Sequence, residues 1–366
     1  MQAIAKLGLF AGVFACGLGA TQYEMKLRAR PTPAPVVAKS EPAQPRTANT
    51  ASPTPIVDPL DSEHPVTIDN SARPDETNWV RARPGFQYSR KPGDRGGVDP
   101  CAPPSVDTSA YEDWSELGQG HFIAPRENPV DDAGHFNLVI HLHGDEPARR
   151  ELMQSGQHFA LYSLTLEGQS YAPVFTGTAA FDAIVAGVEQ ALSKRAGRTA
   201  HVEHIAFSAW SAGFTGIEAA LGQPFARDID AVVLSDALHA PRNDDAAFHA
   251  QLAPFVDFAK RAAAGEKFMF VSHSSIDPPD FASTTETAHY LIAAVGGKPA
   301  AVRRDDPLGL ELVEYFSRGN LHVRGYAGND KPDHCAQVAT LRSAYAALGR
   351  RWSPRANVTA SAATLR

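Results

Sequence analysis

Cysteine is scarce in this chain. Three cysteines in 366 residues, at Cys16, Cys101 and Cys335, form no CxxC pair and no metal-ligand spacing, which excludes a disulfide scaffold. Positive charge is also sparse: 41 acidic residues outnumber 34 basic ones, giving a net charge of -7 spread along the sequence. With no basic stripe, nucleic acid is excluded as a partner. Internal repeats and long charge runs are absent. Phe, Tyr and Trp are missing altogether between Tyr23 and Trp79, where the chain reads PTPAPVVAKSEPAQPRTANTASPTP. Such a stretch cannot bury enough apolar surface to offset its ordering entropy, so residues 21–78 are expected to form a disordered tether. Over the whole chain the composition, 43% hydrophobic and 20% charged, is that of a globular protein with one sizeable core.

What is present begins at the N-terminus. After Lys6 comes LGLFAGVFACGLGA, Leu7 to Ala20, the length of a signal-peptide core and short for a membrane span. Residues 1–20 therefore predict export to the periplasm or cell envelope. Val13-Phe14-Ala15-Cys16 resembles a bacterial lipobox, in which the cysteine becomes the lipidated first residue. Cleavage near Ala20 and an uncleaved anchor flanked by Lys26, Arg28 and Arg30 are the alternatives. Membrane attachment, where it occurs, is through this N-terminus. With Cys16 lipidated or removed, Cys101 and Cys335 sit in a compartment where a disulfide persists, and a bridge between them is expected.

From Trp79 onward the pattern alternates. Gly120 to Pro125, Phe136 to Gly144, Phe159 to Leu166, Val202 to Trp210, Asp230 to Leu238, Lys267 to His273 and Leu321 to Ala327 read as strands. Several are apolar on both faces, as a parallel sheet covered on both sides requires. Helical spacing separates them: Phe181, Ile184, Val185, Val188 and Leu192 share one face. So do Phe248, Leu252, Phe255 and Ala259, and later Val338, Leu341, Tyr345 and Leu348. Alternating strands and helices predict an α/β domain over 79–352, a doubly wound and mostly parallel sheet, with 353–366 as a loose tail.

The sharpest local signal is Ser208-Ala209-Trp210-Ser211-Ala212-Gly213, between an apolar strand and the helix-like run FTGIEAAL. A serine on a tight strand-to-helix turn needs small neighbours, and Ser211 has Ala209 two before it and Gly213 two after. Such a turn aims the next N–H, that of Ala212, at a developing oxyanion. As a plain alternative, Ser211 caps a helix. Upstream, His141-Leu142-His143-Gly144-Asp145 ends another apolar strand. Downstream, His334 lies in a polar turn, GNDKPDH, between the last strand and the last helix; a histidine titrates near neutrality and suits a general base.

With these features the chain resembles the α/β-hydrolase superfamily. The G-x-S-x-G elbow is present with Ala209 in place of the first glycine. The resemblance covers most of residues 100–352 and implies the order nucleophile, acid, base: Ser211, then an Asp, then His334. It implies a second oxyanion N–H from Gly144 or Asp145. For the acid, family position favours Asp277, in the loop after a late strand, while Asp236 offers a rigid strand end where a buried carboxylate needs a partner. Trp210 and His239 are candidates to line the pocket or simply to pack. The implied activity is that of an exported serine hydrolase acting on a small-molecule or polymeric ester or amide, with no cofactor and no metal. Two other functions compete. His141, His143 and Asp145 approximate the H-x-H-x-D-H signature of metal-dependent hydrolases, and His141 and His143 would point to the same side of a strand. A non-catalytic envelope protein could also use this fold for binding alone.

Overall fold

The computed structural model describes residues 55–58, 61–68, 95–167 and 170–353. The signal segment with Cys16, Trp79, the remainder of the tether and the tail from 354 lie outside the described residues. The strands are β1 (Pro55–Asp58), β2 (Asp61–Ile68), β3 (Ser115–Leu117), β4 (Gly120–Ile123), β5 (His135–Leu142), β6 (Ala160–Leu164) and β7 (His201–Trp210). They continue with β8 (Ile229–Ser235), β9 (Ala240–Pro241), β10 (Phe268–His273), β11 (Phe281–Ala282), β12 (Ala300–Asp306), β13 (Leu310–Arg318) and β14 (Leu321–Ala327). The helices are α1 (Asp145–Ser155), α2 (Ala179–Ala196), α3 (Phe214–Leu221), α4 (Asp245–Ala263), α5 (Thr284–Ala294), α6 (Lys331–Ala336) and α7 (Thr340–Trp352).

All strands but β9 and β11 join one twelve-stranded sheet in the order β1-β2-β12-β13-β14-β10-β8-β7-β5-β6-β4-β3. Its centre, β6-β5-β7-β8-β10-β14, is parallel throughout. Side chains of β5 alternate across it: Leu138, Ile140 and Leu142 join α2, α3, α4 and α5 in one core, while Val139 packs with α1 and α7 in the other. This is the two-residue period of a strand buried on both faces. The architecture is the expected doubly wound α/β sheet, the α/β-hydrolase fold. From β5 the chain passes to β6 on one side and then returns across β5 to β7. The strand order therefore reverses between β5 and β7, and the carboxyl ends of those strands open the crevice where such sheets place ligands.

The helix ends follow local chemistry. Asp244 caps α4 through the N–H of Ala247, and Ser283 with Glu286 forms a capping box on α5. Gly156 and Gly197 close α1 and α2 in the left-handed region. Two strands lie within the stretch expected to be a tether: β1 pairs with β2, and β2 adds to the sheet edge at β12. Pairing at an edge needs only backbone hydrogen bonds, which a composition poor in aromatics does not forbid. Charged β12 escapes a hydrophobicity-based reading for a related reason: it is held by pairing with β13, and its Arg303 and Arg304 are matched to Glu311 and Asp306.

Cys101 and Cys335 form a disulfide across a sequence separation of 234 residues. Beside it, Arg95 pairs with Asp333, both side chains buried. No helix among the described residues is long and apolar enough to cross a membrane.

Candidate active site

Strain marks the crevice. Of the five described non-glycine residues with positive φ, three follow directly or almost directly on the central strands: His143 (φ 76°) after β5, Ser211 (φ 53°) after β7 and Asp236 (φ 44°) after β8. Non-glycine residues are rare in this region, and such outliers persist only where the surroundings hold them. At Ser211 the cause is visible. The turn brings Gly213 so close to β5 that a Cβ there would collide with the carbonyl of Leu142. Ala209 is fully buried. Glycine at 213 is thus demanded by the close passage of β5, and α3 begins immediately after the turn.

His334 lies in α6, whose N-terminus is a capping box of Asp330 and Asp333. Its Nδ1 is 2.7 Å from Oδ2 of Asp236. The other carboxylate oxygen of Asp236 accepts from the Ser274 N–H at 2.8 Å and from the Thr284 hydroxyl at 2.6 Å. Asp236 is 2% exposed, and burial alone would raise its pKa. The hydrogen bond and charge of His334, with the Thr284 and Ser274 donors, outweigh that and hold the carboxyl well below its usual range. Trp210 packs against the imidazole: the ring centroids are 5.1 Å apart, and the indole Nε1–H donates to the His334 carbonyl at 3.2 Å.

The other acid named by the sequence lies elsewhere. Asp277 is 61% exposed and pairs with Arg242, which also holds Glu286. The structure therefore brings Asp236, not Asp277, to His334. The physical reason is that the loop after β10 turns Asp277 outward to Arg242, whereas the left-handed turn after β8 directs Asp236 inward.

In the loop after β5, the Gly144 N–H donates to Thr165 Oγ1 at 3.0 Å. That bond occupies one of the two expected oxyanion donors and leaves the N–H of Asp145, first residue of α1. The Asp145 carboxylate turns away to Ser163 and Thr165, with His121 Nε2 3.0 Å off.

His141 is fully buried. Its Nε2–H donates to the His143 carbonyl at 2.9 Å, and its Nδ1 is 2.7 Å from Ser208 Oγ, which Tyr345 contacts in turn. Burial pulls its pKa down to about 4. His143 is likewise lowered to about 4 by burial and by His334 nearby, and its Nδ1 is 2.9 Å from the Tyr171 hydroxyl. Both ring nitrogens of His141 are thus committed to protein, and His141, His143 and Asp145 do not converge on a point. This corrects the metal-ligand alternative: His143 lies beyond the end of β5 in a left-handed turn, so the two imidazoles do not share one side of the strand. His239 packs edge-on against Phe214 and Phe281, and burial lowers it to about 4.

No protein-family model matches the sequence, and no curated protein matches it either. Among solved structures it is similar to a siderophore hydrolase, EstB, from Aspergillus nidulans, at 13% identity and TM-score 0.39, over 69% of this chain and 98% of that one. An uncharacterised protein from Capnocytophaga ochracea is similar at 11% identity and TM-score 0.37, over 64% of each chain. An acylaminoacyl peptidase from Pyrococcus horikoshii follows at 10% and 0.38, over 66% of this chain and 42% of the other. The chain thus spans less than two thirds of the length of the last two. Identity at this level leaves the chemistry of the site to its own geometry.

Proposed function

We propose that this protein is an exported serine hydrolase that cleaves an ester or amide through an acyl-enzyme on Ser211. The observation that supports it best is the 2.7 Å contact of Asp236 with His334 Nδ1, on the strand next to the strained Ser211 turn. A carboxylate at Nδ1 fixes the ring proton there and leaves Nε2 with the lone pair that a base requires. His334 takes the Ser211 proton as Oγ attacks the carbonyl carbon, then returns it to the leaving oxygen or nitrogen as the scissile bond breaks. Water, activated by the same imidazole, releases the acid and restores Ser211. The oxyanion is held by the N–H groups of Ala212, in the turn that leads into α3, and of Asp145, the first residue of α1, where backbone donors are unsatisfied by the helix itself. Trp210 steadies the imidazole from its face.

Export, with retention in the periplasm or at the envelope through Cys16, is part of this reading. A disulfide between Cys101 and Cys335 belongs to an oxidising compartment and supports it.

The test uses the purified chain with a fluorophosphonate probe and a short-chain aryl ester. Wild type is expected to label and to turn over, Ser211→Ala to do neither, and His334→Ala to lose turnover. Labelling that survives Ser211→Ala would refute the assignment.

A further inference from the structure

We propose a divalent transition-metal site, best suited to zinc, formed by His273, His289 and Glu314. It lies outside the hydrolytic machinery and does not depend on that function.

The sheet register builds the site. His273 ends β10, its partner on β14 is Gly325, and the partner of Gly325 on β13 is Glu314. Two side chains separated by an intervening strand start roughly 10 Å apart, since neighbouring strands are spaced about 4.8 Å. They meet here because the strand between them carries glycine: a Cβ on Gly325 would overlap both Glu314 Cγ and His273 Nε2. His289, from α5, completes the group.

The three candidate ligand atoms all lie within 4.8 Å of one another. His289 Nε2–H donates to Glu314 Oε1 at 3.0 Å, a proton that the ion would replace, and His273 Nε2 is 3.4 Å from the same oxygen. Ligands about 2.1 Å from a tetrahedral zinc stand roughly 3.4 Å apart, so little movement would be needed to admit the ion.

The tautomer of His273 supplies an independent reason. The Thr285 hydroxyl donates its single proton to the Ser274 carbonyl at 2.7 Å, so its oxygen is an acceptor for His273 Nδ1–H at 3.0 Å. The remaining lone pair of His273 is then on Nε2. That atom is buried, makes no hydrogen bond, and faces a carboxylate oxygen. A lone pair aimed at a carboxylate is unfavourable unless Nε2 is protonated or a metal ion stands between them, and a 3.4 Å separation with no hydrogen bond formed favours the ion. A histidine whose Nδ1–H is held by protein while Nε2 faces two further ligands is the usual arrangement around a metal. Two imidazoles and a carboxylate suit zinc or a neighbouring divalent ion rather than calcium or magnesium, which prefer all-oxygen sites. Both His289 and Glu314 are partly exposed, giving the ion a route in.

The metal would tie β10, β13 and α5 together directly behind the Ser274 and Thr284 donors to Asp236. Its detection, however, needs no catalytic assay. Untagged full chain, stripped with a chelator and titrated with Co²⁺ followed by Zn²⁺, is expected to bind one equivalent. The cobalt complex should show the visible ligand-field absorption of a low-symmetry nitrogen and oxygen site, lost on zinc addition. Glu314→Gln and His289→Ala are each expected to weaken binding by at least about 100-fold. Thr285→Val, which frees Nδ1, should weaken it by about 10- to 100-fold. Absence of one-equivalent binding in wild type overturns the proposal whether or not the variants fold. So does binding that is unchanged in folded Glu314→Gln and His289→Ala.

Discussion

Replacing Asp236 by asparagine changes one atom's chemistry and almost no volume, yet the hydrogen bonds around it predict a large loss of rate. Three donors converge on the Asp236 carboxylate: His334 Nδ1–H on one oxygen, the Ser274 N–H and Thr284 hydroxyl on the other. An amide has one accepting oxygen. In Asp236→Asn that oxygen best serves Ser274 and Thr284, which turns the NH₂ group toward His334. Nδ1 must then accept, the ring proton moves to Nε2, and the imidazole can no longer take the serine proton. Forcing the wrong tautomer in a serine triad lowers kcat by about 10⁴-fold, equivalent to about 5 kcal/mol of transition-state stabilisation. Asp277→Asn is the matched control. Its partner Arg242 also bonds Glu286 and the pair is partly solvated, a setting in which loss of an ion pair costs roughly 0–1 kcal/mol of stability. Its kcat should stay within about two-fold of wild type. Steady-state hydrolysis of an aryl ester gives kcat and KM for both variants, and thermal denaturation confirms that each is folded. The reasoning fails if Asp236→Asn keeps kcat within ten-fold of wild type, or if Asp277→Asn is the variant that loses it.

Three further outcomes follow from the geometry. Gly213→Ala would press a methyl group against the Leu142 carbonyl and must shift the backbone; we expect a loss of about 1–3 kcal/mol in a denaturant titration together with loss of probe labelling at Ser211, and wild-type behaviour in both would contradict the packing argument. Reduction of the Cys101–Cys335 bridge releases a loop closed over 234 residues. In the chain-entropy model that costs about 5 kcal/mol, or roughly 10–20 °C in Tm, and calorimetry with and without reductant would expose a Tm that does not move. Finally, His141 has a folded pKa of about 4, lowered by burial, against about 6.5 when unfolded. The unfolded chain therefore binds the proton first, so the stability His141 contributes above about pH 6.5 is lost as pH falls toward 4, its own share being up to about 1.4 kcal/mol per unit. His143 and His239, also lowered to about 4, add slopes of the same sign over this interval, and Glu218, raised by burial to about 7, adds one of opposite sign, so the share of His141 is the difference between wild type and His141→Gln. A pH dependence of the denaturation midpoint between about 6.5 and about 4 that is the same in His141→Gln as in wild type would show that His141 contributes none of it.

The legible part of this protein was its central sheet. The apolar runs Phe136 to Gly144 and Asp230 to Leu238 read as strands, and the structure has them as His135–Leu142 and Ile229–Ser235, with alternate residues in cores on both faces. Ser211 is visible because close passage of β5 requires glycine two residues after it. The histidine turn at 328–334 was found by its place between strand and helix. Less legible were α1, charged β12 and the edge strands β1 and β2. The strands are held by ion pairs and pairing with a neighbour rather than by a hydrophobic period, and α1 buries only a short apolar face, Ala148 and Leu152.

The sequence alone thus determined the alternation of strands and helices, and with it the doubly wound fold and the positions of Ser211 and His334, because hydrophobic period and turn chemistry are local properties of the chain. Tertiary structure decided the rest. Asp236 and Asp277 are both acids near strand ends, and only the left-handed turn after β8 carries one of them to an imidazole 98 residues away. Gly144 and Asp145 are adjacent, yet a hydroxyl from beyond β6 occupies the N–H of one. His273 and Glu314 lie far apart in sequence and meet only because register sets Gly325 between them. A side chain's chemical role depends on its partners, and partners drawn from distant segments are fixed by how strands pair and where backbones turn.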